Sequence, residues 1–362
     1  MTKERVFGID NARIIATFLI IISHLLSQGG LLSSFDNSTQ YIMFRILKCF
    51  AFPALNMYLL ISGYVGLGSK HSIKRLFSLY VEVFFYSLII TCVFMLIHNY
   101  VSFSEIIKAI LPVMSKQYWY FSAYFFAFFI FPYIDMVLEH VTEELATKNL
   151  VGLFILASIV GTCARLFGDP FGIINGYSPL WMCIMYYFGG YIRKYENGKI
   201  IRFLQKKAIL VYLFSTIVSL SSVFAIRIVN SLCHTSLNEG TFLSYITPFA
   251  VLASVSMLLL CLKRRNNKEN RIITNLSKLT FGVYLIHVHP IIWSKVIKDS
   301  CIFLLDINPI VSMFMLIALA ALVFAILLFL DYIRELLFKS FRVNKVLDIL
   351  ENKFSGRNNR LI

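Results

Sequence analysis

The chain has 362 residues, of which 58% are hydrophobic and only 15% charged, and its mean hydropathy is +0.75. Soluble domains carry about a quarter charged residues, so this composition excludes an ordinary water-soluble fold and points to a polytopic membrane protein. The net charge of +15 raises nucleic acid as a partner, but the basic residues are grouped at alternate connections between apolar runs, which assigns them to membrane topology instead.

In chain order, about ten apolar runs approach the ~20 residues that a spanning helix needs. They centre on Leu19, Leu55, Ile89, Phe126 and Leu156, then on Tyr186, Thr216, Leu252, Leu285 and Ala321. The fifth carries Arg165 near its end, and the sixth is short and rich in glycine. The first follows Lys3 and Arg5, and because Asp10 and Arg13 interrupt it and no small-residue cleavage pattern follows, it is expected to stay as an anchor. Basic clusters at 70–75, 193–207, 263–271 and 334–345 fall on one side if ten helices follow a cytoplasmic N-terminus. The connection at 135–148 falls on that side too and is acidic, which weighs little in the positive-inside rule. The expectation is an all-α, multi-pass protein of the cell membrane with about ten transmembrane helices and both termini cytoplasmic. An integral membrane domain would span 1–340 and a short cytoplasmic tail 341–362. The polar connections are too short to bury a core of their own, so any chemistry must occur among the helices or at their ends.

Seven cysteines are scattered singly, without CxxC spacing, and read as small membrane hydrophobes; Cys233 and Cys301 both fall near the expected outer face, where a disulfide is conceivable but not favoured. The stretch Gly66-Leu-Gly68 lacks the strand-to-helix context of a phosphate-binding loop.

The most informative stretch is the first run, which places Arg13 and His24 eleven residues apart among apolar side chains. Ionisable groups inside a spanning helix are costly unless they face a partner, a cavity or a ligand. Eleven residues is close to three helical turns, so the two share one face, roughly 16 Å apart along the axis. Asp10, at i minus 3 from Arg13, is its obvious structural partner. A bidentate contact of Arg13 with a phosphate or carboxylate is the functional alternative.

A set of motifs follows in order: Arg13 and His24; the segment Phe52-Pro-Ala-Leu-Asn-Met-Tyr-Leu-Leu-Ile-Ser62-Gly63-Tyr64; Lys74-Arg75 through Tyr80; Tyr118-Trp119-Tyr120-Phe121 with Pro132; and Ser277 through Tyr284-Leu-Ile-His287. Together they resemble the integral membrane acyltransferase-3 family, over nearly the whole chain, in the stand-alone form without a fused esterase-like domain. The resemblance implies O-acetylation of surface polysaccharides or other extracytoplasmic acceptors, with acetyl-CoA as donor substrate, a glycan or lipid-linked sugar as acceptor, and residues 1–340 as the acyltransferase domain. It also places Arg13 in the active site and makes His24 the catalytic residue. The chemistry agrees, because an imidazole suits removal of a proton from a sugar hydroxyl attacking a thioester, and an acyl-histidine is open as an intermediate.

Lys74 and Arg75 begin the third run on the expected cytoplasmic side, where they would meet donor phosphates or simply obey topology. Glu82 lies at a depth that would let it serve as counter-ion to Arg13. His287 and His289 are two apart, pointing roughly 200° from each other on a helix, and cannot share a metal; no metal is expected. His287 is a site candidate, and Tyr284, one turn earlier, is placed to hydrogen-bond it. Trp119 belongs either to an interfacial aromatic belt or to a sugar-stacking wall. The rival function is a glycan exporter or proton-coupled transporter with Arg13, His24 and Glu82 as a relay, against which no half-length internal repeat is visible. A membrane sensor without chemistry would leave the cation and base on one buried stripe unexplained.

Overall fold

The computed structural model describes residues 6–32, 39–98, 101–263, 270–343, 345–349 and 351, and among them every regular element is a helix. The N-terminal helices are α1 (Phe7–Ser27), α2 (Thr39–Ala51) and α3 (Ala54–Gly66), followed by a long α4 (Ile73–His98) and a short α5 (Phe103–Ile110). α6 (Trp119–Phe128) and α7 (Phe131–His140) form a pair bent by 53°, with Pro132 in the first turn of the second. α8 (Glu143–Leu153) runs through a π-helical stretch, Phe154–Val160, into α9 (Gly161–Ala164). The C-terminal half comprises α10 (Pro179–Lys194), α11 (Lys199–Lys206), α12 (Ala208–Cys233), α13 (Pro248–Lys263), α14 (Arg271–His287), α15 (Pro290–Ile292) and α16 (Pro309–Ser340).

The helix starts are written locally. Ser102 and Glu105 form a reciprocal capping box at α5, and Ser178 and Asn308 cap α10 and α16 immediately before a proline, whose missing N–H costs nothing there.

Among the described residues, six helical runs are long and apolar enough to cross a membrane, or seven if the bent α6–α7 pair counts as one span. All ten centres expected from the sequence lie on helices. Those at Tyr186, Leu252 and Leu285, however, sit in α10, α13 and α14, of 16, 16 and 17 residues, below the length of the other spans. The first two are the most enclosed: in α10 the whole run from Trp181 to Ile192 is buried, and in α13 the run from Ala253 to Leu259.

The outside is apolar. α16 exposes Phe314, Leu322, Ile326 and Phe329, a surface that suits hydrocarbon, whereas a soluble protein rarely exposes so continuous an apolar face. Only 17% of the apolar window of α16 is buried, against 56% for α1, so α1 is an interior helix. It joins both hydrophobic cores: Ala12 and Ala16 pack into one with α3, α10 and α13, and Ile21, Ile22, Leu25 and Leu26 into the other with α14 and α16. Its charged face is thereby held inside the bundle.

Gly63 and Gly189 explain how α3 and α10 cross so closely. A Cβ at Gly63 would lie 1.9 Å from the backbone oxygen of Tyr186, and one at Gly189 would lie 2.0 Å from that of Leu60. Any side chain at either position would force the two backbones apart, which is the use of small residues at membrane helix crossings.

Candidate active site

Two adjoining cavities open along the interior face of α1. The larger, about 380 Å³, is lined by Ser23, His24, Trp119, Tyr177, Tyr245 and Trp293, among others. The smaller, about 210 Å³, is lined by Arg13, Ser62, His71, Arg75, Tyr124 and Lys278, among others. Tyr58, Tyr120, Thr280 and Phe281 line both and form a neck between them. Arg13 and His24 thus share one interior face of α1, as their spacing requires, but open onto two chambers. Both chambers have aromatic walls, but the smaller is also cationic, with Arg13, Arg75 and Lys278 in its lining.

In the larger chamber α1 and α14 bring two histidines together. His24 Nδ1 lies 3.1 Å from His287 Nε2, and His287 Nδ1 lies 2.7 Å from the carbonyl oxygen of Val283. A carbonyl only accepts, so His287 must carry its proton on Nδ1, which leaves its Nε2 as a lone pair in the neutral ring. That lone pair accepts from the Nδ1–H of His24. The unprotonated nitrogen of neutral His24 is therefore Nε2. The Trp293 ring stands edge-on to His24, with centroids 4.8 Å apart at 88°, and fixes the imidazole plane. His289 does not join this pair: it turns to the side-chain amide of Gln117, at 3.0 Å, so the two C-terminal histidines serve different partners.

The smaller chamber is organised around Asp10 and Arg13. Asp10 is buried and accepts from Ser277 Oγ at 2.5 Å, tying α1 to α14, while Arg13 Nη1 stands 3.7 Å from its Oδ1. Arg13 keeps 27% side-chain exposure and reaches the chamber wall. Thr17, one turn further on, donates to the Arg13 carbonyl at 2.8 Å and accepts from Tyr58 at 2.6 Å. The Tyr58 hydroxyl at the neck is thus held by α1, while that of Thr280 donates to the Ser277 carbonyl within α14.

Several sequence expectations need correction in detail. Lys74 and Arg75 do not act as a unit: consecutive helical residues point about 100° apart, so Arg75 lines the cationic chamber while Lys74 pairs with Asp348 and stands 4.0 Å from Glu351. Glu82 faces Arg334, at 3.4 Å, rather than serving Arg13. Arg334 also grips Asp331 with two bonds of 2.9 and 2.8 Å, and Tyr86 donates to the same carboxylate, a self-contained tie between α4 and α16. Tyr284 lines the larger chamber, but its buried hydroxyl has no hydrogen-bond partner among the described residues and makes no bond to His287; the two rings meet at 85°. Trp119 lies in the chamber wall, its ring 4.5 Å from that of Tyr177. Cys233 and Cys301 are free thiols, one exposed and the other buried.

Other site residues were not singled out by the sequence reading. Lys48 of α2 sits against Ser23, beside His24; it is ionisable inside an apolar run, so the rule that flagged Arg13 applies to it equally. His71 and Asp135 pair at 2.8 Å, and Tyr186 donates to the same carboxylate at 2.9 Å. His71 and Tyr186 both line the cationic chamber, a grouping across distant segments that no local pattern announces.

No curated protein and no solved structure matches the chain. The family described as Acyltransferase domain matches residues 6–330, which contain α1 with Arg13 and His24, the neck residues, and the His287 motif of α14. With a lipid-suited exterior around a histidine and cation site, the chain is a membrane acyltransferase and belongs to the acyltransferase-3 family.

Proposed function

We propose that the protein transfers an acetyl group from acetyl-CoA to a hydroxyl of a cell-surface or lipid-linked glycan, with ten spans, both termini cytoplasmic and residence in the cell membrane. The observation that carries this reading is the hydrogen-bond series from the Val283 carbonyl through His287 to His24. It leaves one basic nitrogen, His24 Nε2, in a chamber walled by Trp119, Tyr177 and Trp293.

The two chambers divide the labour. Arg13, Arg75 and Lys278 give the smaller one three cations, suited to the phosphates of a coenzyme thioester. Its acyl end would reach through the neck of Tyr58, Tyr120, Thr280 and Phe281. The aromatic rings of the larger chamber suit the apolar faces of a sugar, and its volume falls within the range of small-molecule sites. His24 Nε2 takes the proton of the acceptor hydroxyl as that oxygen forms its bond to the acyl carbon. As the C–S bond breaks, the coenzyme sulfur leaves and receives the proton back from His24. His287 accepts a hydrogen bond from Nδ1 throughout and stabilises the imidazolium that forms between these steps.

The test is chemical analysis of surface glycans from cells with and without the gene, combined with acetyl-labelled coenzyme A in isolated membranes. The reading requires alkali-labile, label-bearing esters that disappear with the gene. Unchanged acylation in its absence would reject it.

A further inference from the structure

Lys48 and Ser23 form a pair beside His24 that the transfer just described does not use. Lys48 Nζ donates to the Ser23 carbonyl at 2.9 Å and to Ser23 Oγ at 2.6 Å. Ser23 is 6% exposed and lines the larger chamber together with its neighbour His24. Lys48 lies one turn before Ala51 and Phe52, which line the same chamber.

The direction of these bonds decides what Ser23 can do. Its oxygen accepts from Lys48, so its own proton must go elsewhere. Several hydroxyls in these helices give that proton to the carbonyl one turn back: Thr17 to Arg13, Ser27 to Ser23, Ser62 to Tyr58, Thr91 to Ser87 and Ser254 to Ala250. Ser23 makes no such bond, and among the described residues no acceptor takes its proton. Lys48, for its part, has no carboxylate partner among the described residues, although a charge inside a membrane protein demands a compensating one. A hydroxyl with an unspent proton, polarised from behind by an unneutralised cation, is an electrophilic donor awaiting negative charge.

We propose that the Ser23 hydroxyl, backed by Lys48, donates to the acyl carbonyl oxygen and stabilises the oxyanion formed during transfer. This rests on the acyl-transfer reading and deepens it. As the acceptor oxygen bonds to the acyl carbon and its proton passes to His24 Nε2, the carbonyl electron pair moves onto oxygen, where Ser23 O–H meets it. The pair returns to rebuild the carbonyl as the C–S bond breaks and the thiolate takes the His24 proton. Consecutive residues of α1 thus supply the base and the oxyanion donor. Ser23 is a catalytic residue, and Lys48 a positioning residue that acts through it.

The experiment measures ester formation from acetyl-CoA on isolated glycan acceptor, in membranes carrying equal amounts of folded wild type, S23A, S23T, K48Q, K48R and the S23A/K48Q double variant, with H24A as the inactive reference. Removal of one oxyanion donor costs about 10²–10³ in kcat. The proposal predicts a loss of that size for S23A with both KM values within about threefold of wild type, partial recovery in S23T, which keeps the hydroxyl, and in K48R, which keeps the charge. Because the two residues act as a unit, the double variant should be no slower than S23A alone. Wild-type kcat in S23A, or losses that multiply in the double variant, would overturn it. So would wild-type kcat in K48Q. Transfer by the wild type in the same membranes keeps these outcomes separate from failure of the acyltransferase reading itself.

Discussion

His24 and His287, 263 residues apart in the chain, meet ring to ring with Nδ1 of the first 3.1 Å from Nε2 of the second, and the bond from His287 Nδ1 to Val283 sets the tautomer of both. Removing His287 should therefore impair catalysis without touching substrate. We expect His287→Ala to lower kcat by at least ~10-fold, a fraction of what a positioned base contributes. His287→Gln should retain more activity, because its amide oxygen can still accept from His24. Equal activity of both variants with wild type, at equal expression, would remove the orienting role.

Arg75 and Lys74 should separate cleanly. Arg75→Gln is expected to weaken acetyl-CoA binding by about tenfold, less so at high salt, where exposed charge contacts are already screened. Lys74→Gln, which breaks an ion pair with Asp348, should leave donor affinity within about twofold, in line with the small worth of exposed pairs. Titration of each variant with labelled acetyl-CoA at two salt concentrations checks both statements.

The α3–α10 crossing makes a stability prediction independent of chemistry. Gly63→Ala places a methyl where Tyr186 backbone already sits and should destabilise the bundle by about 1–3 kcal/mol or more, the usual cost of overpacking, seen as a lower melting temperature in detergent. Gly152, beside which an added Cβ meets nothing within 4 Å, is the control and should tolerate alanine.

Topology is testable at two exposed asparagines. In a cysteine-free background, a cysteine replacing Asn238 should react with an impermeant thiol reagent applied outside, and one replacing Asn197, in the basic connection after α10, should resist it. Labelling in the opposite sense would reverse the proposed orientation. Lys268, in the next basic connection, lies outside the described residues.

The helical bundle was legible because apolar runs report helices whatever they pack against, and Leu19, Thr216 and Ala321 lie in helices long enough to span. Which helices face lipid was not: Tyr186 sits in a helix enclosed by its neighbours and Ala321 in one that is mostly exposed, a difference set by the helices each one packs against. The Arg13 to His24 stripe was readable from helical periodicity alone. Its partners were not, because periodicity describes one helix and the pairs that matter join two. Lys74 finds Asp348 across 274 residues, Glu82 finds Arg334, and Lys48 finds Ser23. Asp10 was the exception, one turn from Arg13, and its second role of anchoring Ser277 of α14 again needed the fold.

Transfer depends on His24 Nε2 as the proton acceptor, and the most direct measurement is acetyl transfer to glycan in membranes holding equal amounts of wild type and His24→Ala. The variant should insert and fold, since one lost imidazole leaves only a small polar gap beside Trp293, and should lose at least ~10² in rate, the lower bound for a positioned base. Transfer by His24→Ala at near the wild-type rate would contradict the mechanism.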